Sequence, residues 1–160
     1  MGKKAREIVG VDIKDLIKDL NRAYCDEWLA YYAWWYMAMV VDGPGYEDMA
    51  EFLNKIAKDE LEHATEVAER IVELGGLPTN RIGDLEKGAN APYPGVMKKL
   101  SDYDEIIKLV TTAEAGAIDV YNKIAKKTFG KDHDTYQLVC HIMGEEIGHE
   151  EMFENLKGSK

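Results

Sequence analysis

The chain has 160 residues, 46% of them hydrophobic and 31% charged, with 14 Gly and 4 Pro. That length and composition exclude collagen-like, low-complexity and disordered classes and leave room for one core. Thirty Asp and Glu against twenty Lys and Arg give a formal net charge of −10, a balance that repels phosphate backbones and anionic lipid and favours cations.

In chain order, Met1-Gly2-Lys3-Lys4-Ala5-Arg6-Glu7 carries basic residues with no apolar run behind them, and Arg6 stands where a myristoylation site needs Ser or Thr. Neither export nor lipidation is expected. A first helix is predicted from about Asp12 to Val41, on apolar residues at Ile13, Leu16, Leu20, Tyr24, Tyr31, Trp34 and Ala38, and Asp42-Gly43-Pro44-Gly45 stops it. A second runs from about Tyr46 to Leu74, with Met49, Phe52, Ile56, Val67 and Ile71 on its stripe and Gly75-Gly76 as its end. The stretch from Leu77 to Leu100 holds Pro78, Pro92 and Pro94 and is far longer than the usual link between antiparallel helices. It is read as a crossover returning along a helix of roughly 40 Å at about 1.5 Å per residue. A third helix starts at a cap, Ser101 or Asp102, and ends before Gly130; a fourth runs from about Asp132 to Leu156. No segment alternates as a strand would, so the fold class is all-α: a four-helix bundle with one long crossover between its second and third helices, the connectivity of ferritin-like bundles.

Each stripe is interrupted near its middle by ionisable residues. Glu27 faces the core in the first helix and Glu114 in the third; Glu60 and His63 do so in the second, Glu146 and His149 in the fourth. Glu27 precedes Glu60 by 33 residues and Glu114 precedes Glu146 by 32, and each later Glu is followed three residues on by His. Residues three apart share a helix face, so each E-x-x-H brings a carboxylate and an imidazole to one point. Antiparallel pairing sets Glu27 level with Glu60, since each lies about 14 residues from the connecting turn. Four carboxylates cannot remain ionised in a core without positive charge between them.

Glu27, the Glu60-Leu61-Glu62-His63 segment, Glu114 and the Glu146-Ile147-Gly148-His149 segment resemble the dinuclear carboxylate site of the ferritin-like superfamily, from Asp12 to Leu156. Within it the chain is most similar to Dps-like ferritins of archaea and bacteria, a group near bacterioferritins in site chemistry. The resemblance implies one ferritin-like diiron domain over residues 1–160, with Glu27 and Glu114 as terminal ligands, Glu60 and Glu146 as bridges, and His63 and His149 each on one metal. The same six residues would carry catalysis. Leu61 stands where bacterioferritins carry a haem-ligating Met, so no haem is expected; Ala117 replaces an additional rubrerythrin Glu. Gly116 and the segment from Gly88 to Ala91 occupy the places of a cysteine pair found beside the site in some Dps-like ferritins, and the few residues after His149 leave no fifth helix, which favours a dodecameric cage over a 24-subunit one.

The expected function is a ferroxidase that stores or detoxifies iron, oxidising Fe²⁺ with H₂O₂ or O₂ on two iron ions and protecting against oxidative stress. The alternatives are a diiron redox enzyme that stores nothing, such as a rubrerythrin-like peroxidase, and a dimanganese catalase-like enzyme at the same ligands. A second stripe on the first helix, Trp28, Tyr32, Trp35 and Met39, is read as a homo-oligomer contact. Tyr31, Trp34 and Tyr121 are read as packing residues, with electron relay or radical quenching as the alternative. Glu62, Glu66, Glu69 and Glu73 form a solvated or mineral-facing stripe, and Glu150 is a surface acid. His133 and His141 fit no metal spacing and are expected on the surface. Three basic residues near the N-terminus against the overall −10 argue against DNA. Cys25 and Cys140 are packing residues, and a cytoplasmic protein with no membrane span is expected.

Overall fold

The structure, a computed structural model, describes residues 3–95 and 97–156. The readings that involve Met1, Gly2 and the last four residues fall outside the described residues. Six helices and no strand occur among the described residues: α1 (Lys3–Glu7), α2 (Ile13–Val40), α3 (Tyr46–Leu74), α4 (Ile82–Gly88), α5 (Tyr103–Thr128) and α6 (His133–Leu156). The four long ones stand where the stripes and caps placed them. None of the described helices is long and apolar enough to cross a membrane.

Local chemistry accounts for the ends. Asp12 accepts from the Asp15 amide at 2.8 Å to cap α2, and Asp102 accepts from the Glu105 amide at 3.2 Å to cap α5. Gly75 sits in the left-handed region at φ 98°, which lets the Gly76 amide reach back to the Ile71 carbonyl at 2.9 Å and close α3. α1 and α4 were not anticipated, because neither buries a residue and so neither has an apolar stripe to read.

α2 packs along α3, and α5 along α6. The core splits into two apolar layers. One holds Ala33, Trp34 and Met37 of α2, Leu53 and Ile56 of α3, Ile106 and Val110 of α5 and Phe153 of α6. The other holds Leu16 and Leu20, Val67 and Ile71, Tyr121 and Ile124, and Val139 and Ile142 from the same four helices. The layer order reverses between α2 and α3 and again between α5 and α6, yet α3 and α5 run the same way. The chain must therefore travel the length of the bundle between α3 and α5, as the long segment after Leu77 implied.

That crossover is pinned to α2. Asn21 accepts from the Thr79 amide at 2.9 Å, and Asp26 accepts from the Asn90 and Ala91 amides at 2.7 and 3.2 Å. Gly88 passes so near Cys25 that a Cβ there would lie 2.9 Å from Sγ, so any larger residue would require the Cys25 side chain to shift. At one end of the bundle Arg70, buried on α3, donates to Asp132 at 2.9 and 3.1 Å and to Thr135 at 2.8 Å, tying α3 to the start of α6.

Candidate metal centre

Between the two apolar layers lie the six interrupting residues. Glu27, Glu60, His63, Glu114, Glu146 and His149 are all buried, none more than 5% exposed. They come together as two groups, Glu27, Glu60, His63 and Glu146, and Glu60, Glu114, Glu146 and His149; within each, one ligand atom per residue lies within 4.8 Å of all the others. Glu60 and Glu146 belong to both and stand between them. The two imidazole rings are 6.2 Å apart, centre to centre.

His63 Nδ1 stands 3.0 Å from Glu146 Oε1, 3.4 Å from Glu60 Oε2 and 3.9 Å from Glu27 Oε2. His149 Nδ1 stands 3.5 Å from Glu146 Oε2 and 3.8 Å from Glu114 Oε2. Two donors on one cation at about 2.1 Å are themselves about 3.0 to 4.2 Å apart, and these separations fit that spacing. Both Nδ1 atoms, both Glu146 oxygens, Glu60 Oε2 and Glu114 Oε1 are buried without a hydrogen-bond partner. Leaving such atoms unpaired costs about 1–3 kcal/mol each. Oxygen and imidazole donors converging on two points suit divalent first-row metals.

The atoms that do not face the two points are held by neighbours. Tyr121 donates to Glu27 Oε1, and the Trp34 indole N–H donates to Glu60 Oε1 at 3.2 Å. His63 Nε2 is 2.8 Å from Glu145 Oε2, and His149 Nε2 is 3.1 Å from Asp59 Oδ2. Each histidine of one helix is thus oriented by the acid that immediately precedes the E-x-x-H of the facing helix, an outer contact of the kind that fixes ring orientation in metal sites. Asp59 and Glu145 went unread in the sequence, although an acid directly before each E-x-x-H repeats in both halves.

Electrostatics follow from the crowding. Burial, then the charges of Glu60 and Glu146, push the Glu27 carboxyl well above its ordinary range, and burial with the Glu60 charge does the same to Glu114. Burial also acts to raise Glu146, but its contacts with Glu114, His149 and His63 outweigh that and hold it low. Burial disfavours a charged His63, yet contacts with Glu146 and Glu60 and the charge of Glu27 push it up to about 12. His149 is raised against its own burial by Glu146 and Glu60. Without metal, protons supply the positive charge that the carboxylates require.

Of the other residues singled out, Tyr31 is half-buried and meets Trp28 edge-on with ring centres 5.8 Å apart. Tyr32, Trp35 and Met39 are exposed at 52%, 42% and 66%. Cys25 and Cys140 are both free thiols. His133 is exposed, as expected. Glu62, Glu69 and Glu73 face solvent, whereas Glu66 is half-buried, because it sits one turn from His63 against α6.

A four-helix bundle whose buried middle offers two adjoining carboxylate–imidazole pockets is the class of protein that fold and site define. Residues 17–158 match the ferritin-like domain family, and the chain belongs to that family. It is 32% identical over 157 residues to a DNA protection during starvation protein of Pyrococcus furiosus, covering 96% of this chain and 83% of that one. It is 33% identical over 144 residues to a bacterioferritin of Desulfovibrio desulfuricans, covering 88% and 73%. Among solved structures, the bacterioferritin-related protein of Bacteroides fragilis, described as a dodecameric thioferritin, superposes with a TM-score of 0.91 at 33% identity, covering 96% of this chain and 92% of that one. The Dps of Thermosynechococcus elongatus shares the fold, with a TM-score of 0.85 at 16% identity over 92% of each chain.

Proposed function

We propose that this protein captures ferrous iron in pairs and oxidises it, with H₂O₂ or O₂ as electron acceptor, as a ferroxidase that stores or detoxifies iron. The observation that carries this reading is the set of buried, unpartnered ligand atoms converging on two adjoining points. Two Fe²⁺ ions supply two electrons at once, so peroxide passes to two water molecules with two protons taken up, and no one-electron fragment is released.

The chain's own residues provide the rest. Glu146 offers one oxygen to each point, while Glu60 offers Oε2 and has Oε1 engaged by Trp34. Glu27 with His63 and Glu114 with His149 complete the two sides, and Glu145 and Asp59 aim the rings. The apolar layers above and below exclude water, which strengthens every charge interaction between them. Manganese suits the same donors and is the second reading for the metal.

The whole chain, 1–160, is read as one functional unit within a cytoplasmic, closed homo-oligomer. The exposed aromatic strip of Tyr32, Trp35 and Met39 supports a subunit contact, and the dodecameric relative supports the size. Stopped-flow mixing with Fe²⁺ tests the chemistry: oxidation at the wild-type rate in a Glu60→Ala, His149→Ala double variant would sink it. Assembled mass and iron capacity test the storage function. A particle of twelve 18.1 kDa chains taking up many irons per subunit is expected, whereas a dimer saturating at two would identify a redox enzyme that stores nothing.

A further inference from the structure

The two terminal carboxylates of the centre are not held alike. Tyr121 of α5 donates its hydroxyl to Glu27 Oε1, while Glu27 Oε2 is the oxygen that stands 3.9 Å from His63 Nδ1. Glu114 Oε2 stands at nearly the same distance, 3.8 Å, from His149 Nδ1, but Glu114 Oε1 is buried with no hydrogen-bond partner among the described residues. Glu27, Glu114 and Tyr121 are all buried, so solvent does not compete for these oxygens.

The repeat explains the difference. Tyr121 lies seven residues after Glu114, about two turns along α5, and its counterpart seven residues after Glu27 is Trp34. An indole carries a single N–H and no acceptor, and Trp34 commits it to Glu60 Oε1 at 3.2 Å. Nothing from that position remains to hold Glu114.

The other donors balance. Glu60 and Glu146 belong to both groups and each group has one imidazole. Each imidazole is backed by one carboxylate, His63 by Glu145 at 2.8 Å and His149 by Asp59 at 3.1 Å. The His149 side therefore has both oxygens of its terminal carboxylate open to a cation, and the His63 side has one. A hard cation held by both oxygens of a carboxylate gains a donor, and donor number tunes affinity. The hydroxyl on Glu27 also stabilises the free carboxylate, which lowers its basicity toward a cation.

We infer that Tyr121 is a positioning residue that makes the two metal positions unequal: Glu114 chelates and the His149 side takes the first divalent cation, whereas Glu27 gives one oxygen and the His63 side fills second. The consequence for function rests on the ferroxidase reading, in which the His63 side sets the Fe²⁺ concentration at which a pair is complete. The order of filling is a property of binding and does not depend on oxidation.

The test adds Co²⁺ as probe to the metal-free assembled protein. Equilibrium dialysis gives the amount bound, and the paramagnetically shifted imidazole protons show which ring holds it. In wild type the first equivalent is expected to shift the His149 protons and the second, bound at least about tenfold more weakly, the His63 protons. In Tyr121→Phe the His63 side is expected to tighten by a few-fold with the His149 side unchanged, a change opposite in sign to a loss of packing. A first equivalent on His63, or on both rings together, overturns the inference in wild type alone and leaves the two-metal centre standing. So does a His63 side that weakens or stays the same in Tyr121→Phe. Fewer than two Co²⁺ per subunit in wild type overturns the metal-centre reading and this inference with it.

Discussion

The two halves of the bundle, α2 with α3 and α5 with α6, contribute the same ligand types at the same spacing, yet they surround them differently. Glu27 receives a hydrogen bond from Tyr121, whereas Glu114 keeps an oxygen without a partner. Tyr121 lies seven residues after Glu114, and Trp34 lies seven after Glu27, but Trp34 reaches Glu60 instead of the terminal carboxylate across the bundle. His63 is oriented by a glutamate that also lies 3.8 Å from the exposed His141, and His149 by an aspartate with an exposed lysine, Lys55, one turn before it. The repeat thus dictates which atoms converge. The surrounding residues decide how each side is loaded and tuned.

The largest effect tests what the halves share. Glu146 lends one oxygen to each side, so Glu146→Ala is expected to abolish stable binding at both points and to reduce Fe²⁺ oxidation to the protein-free rate. Thermal melting gives an independent readout. A hundredfold excess of Co²⁺ over its dissociation constant stabilises the wild-type fold by about 2.7 kcal/mol, and that shift should vanish in the variant. Loss of only one of the two central Co²⁺ ions would show that the halves are independent sites, not one shared centre.

Next come the residues that aim the rings. Asp59→Asn and Glu145→Gln should each weaken Co²⁺ binding by about 10- to 100-fold, Asp59→Asn on the His149 side and Glu145→Gln on the His63 side. Paramagnetically shifted imidazole protons distinguish the two rings, and a change on the same ring in both variants would break the crossed pairing. pH sharpens the contrast. His63 in the metal-free protein is raised to about 12 despite burial, through its contacts with Glu146 and Glu60, so at neutral pH a cation must displace its proton. Raised pKa values at Glu27, Glu114 and His149 act in the same direction. Affinity should therefore rise with pH, by about tenfold per unit for each proton displaced. Isothermal titration between pH 6 and pH 8 in buffers of different ionisation enthalpy counts those protons; a flat profile would mean that the imidazoles are neutral before metal arrives.

Much of this centre was legible in the sequence, for a physical reason. A carboxylate inside an apolar stripe is costly, so Glu27, Glu60, Glu114 and Glu146 stand out against the helix period, and the i, i+3 rule adds the histidines without reference to any neighbour. Caps and glycines punctuate the helices locally, which is why the bounds of α3 and a cap at Ser101 or Asp102 were legible. Asp59 and Glu145 were not, because their meaning lies in the facing helix: Asp59 touches a residue 90 positions away and Glu145 one 82 positions away.

The smallest expected effect concerns the two aromatic donors, and it decides whether their asymmetry matters. Tyr121→Phe removes a hydroxyl and little volume, leaving Glu27 Oε1 buried without its donor; a cost of about 1–3 kcal/mol to the fold is expected. Trp34→Phe releases Glu60 Oε1 but also opens space in a fully buried position, so its larger loss of stability mixes a hydrogen bond with a cavity. Stability alone therefore cannot compare the two donors. Metal binding can, because Tyr121 touches a carboxylate of one side and Trp34 a carboxylate common to both. Tyr121→Phe should shift Co²⁺ affinity by a few-fold on the His63 side only, and Trp34→Phe should shift both sides together. Equal shifts on both sides in Tyr121→Phe would mean that Glu27 is not confined to its own half, and the division into two sides would then fail at the terminal ligands.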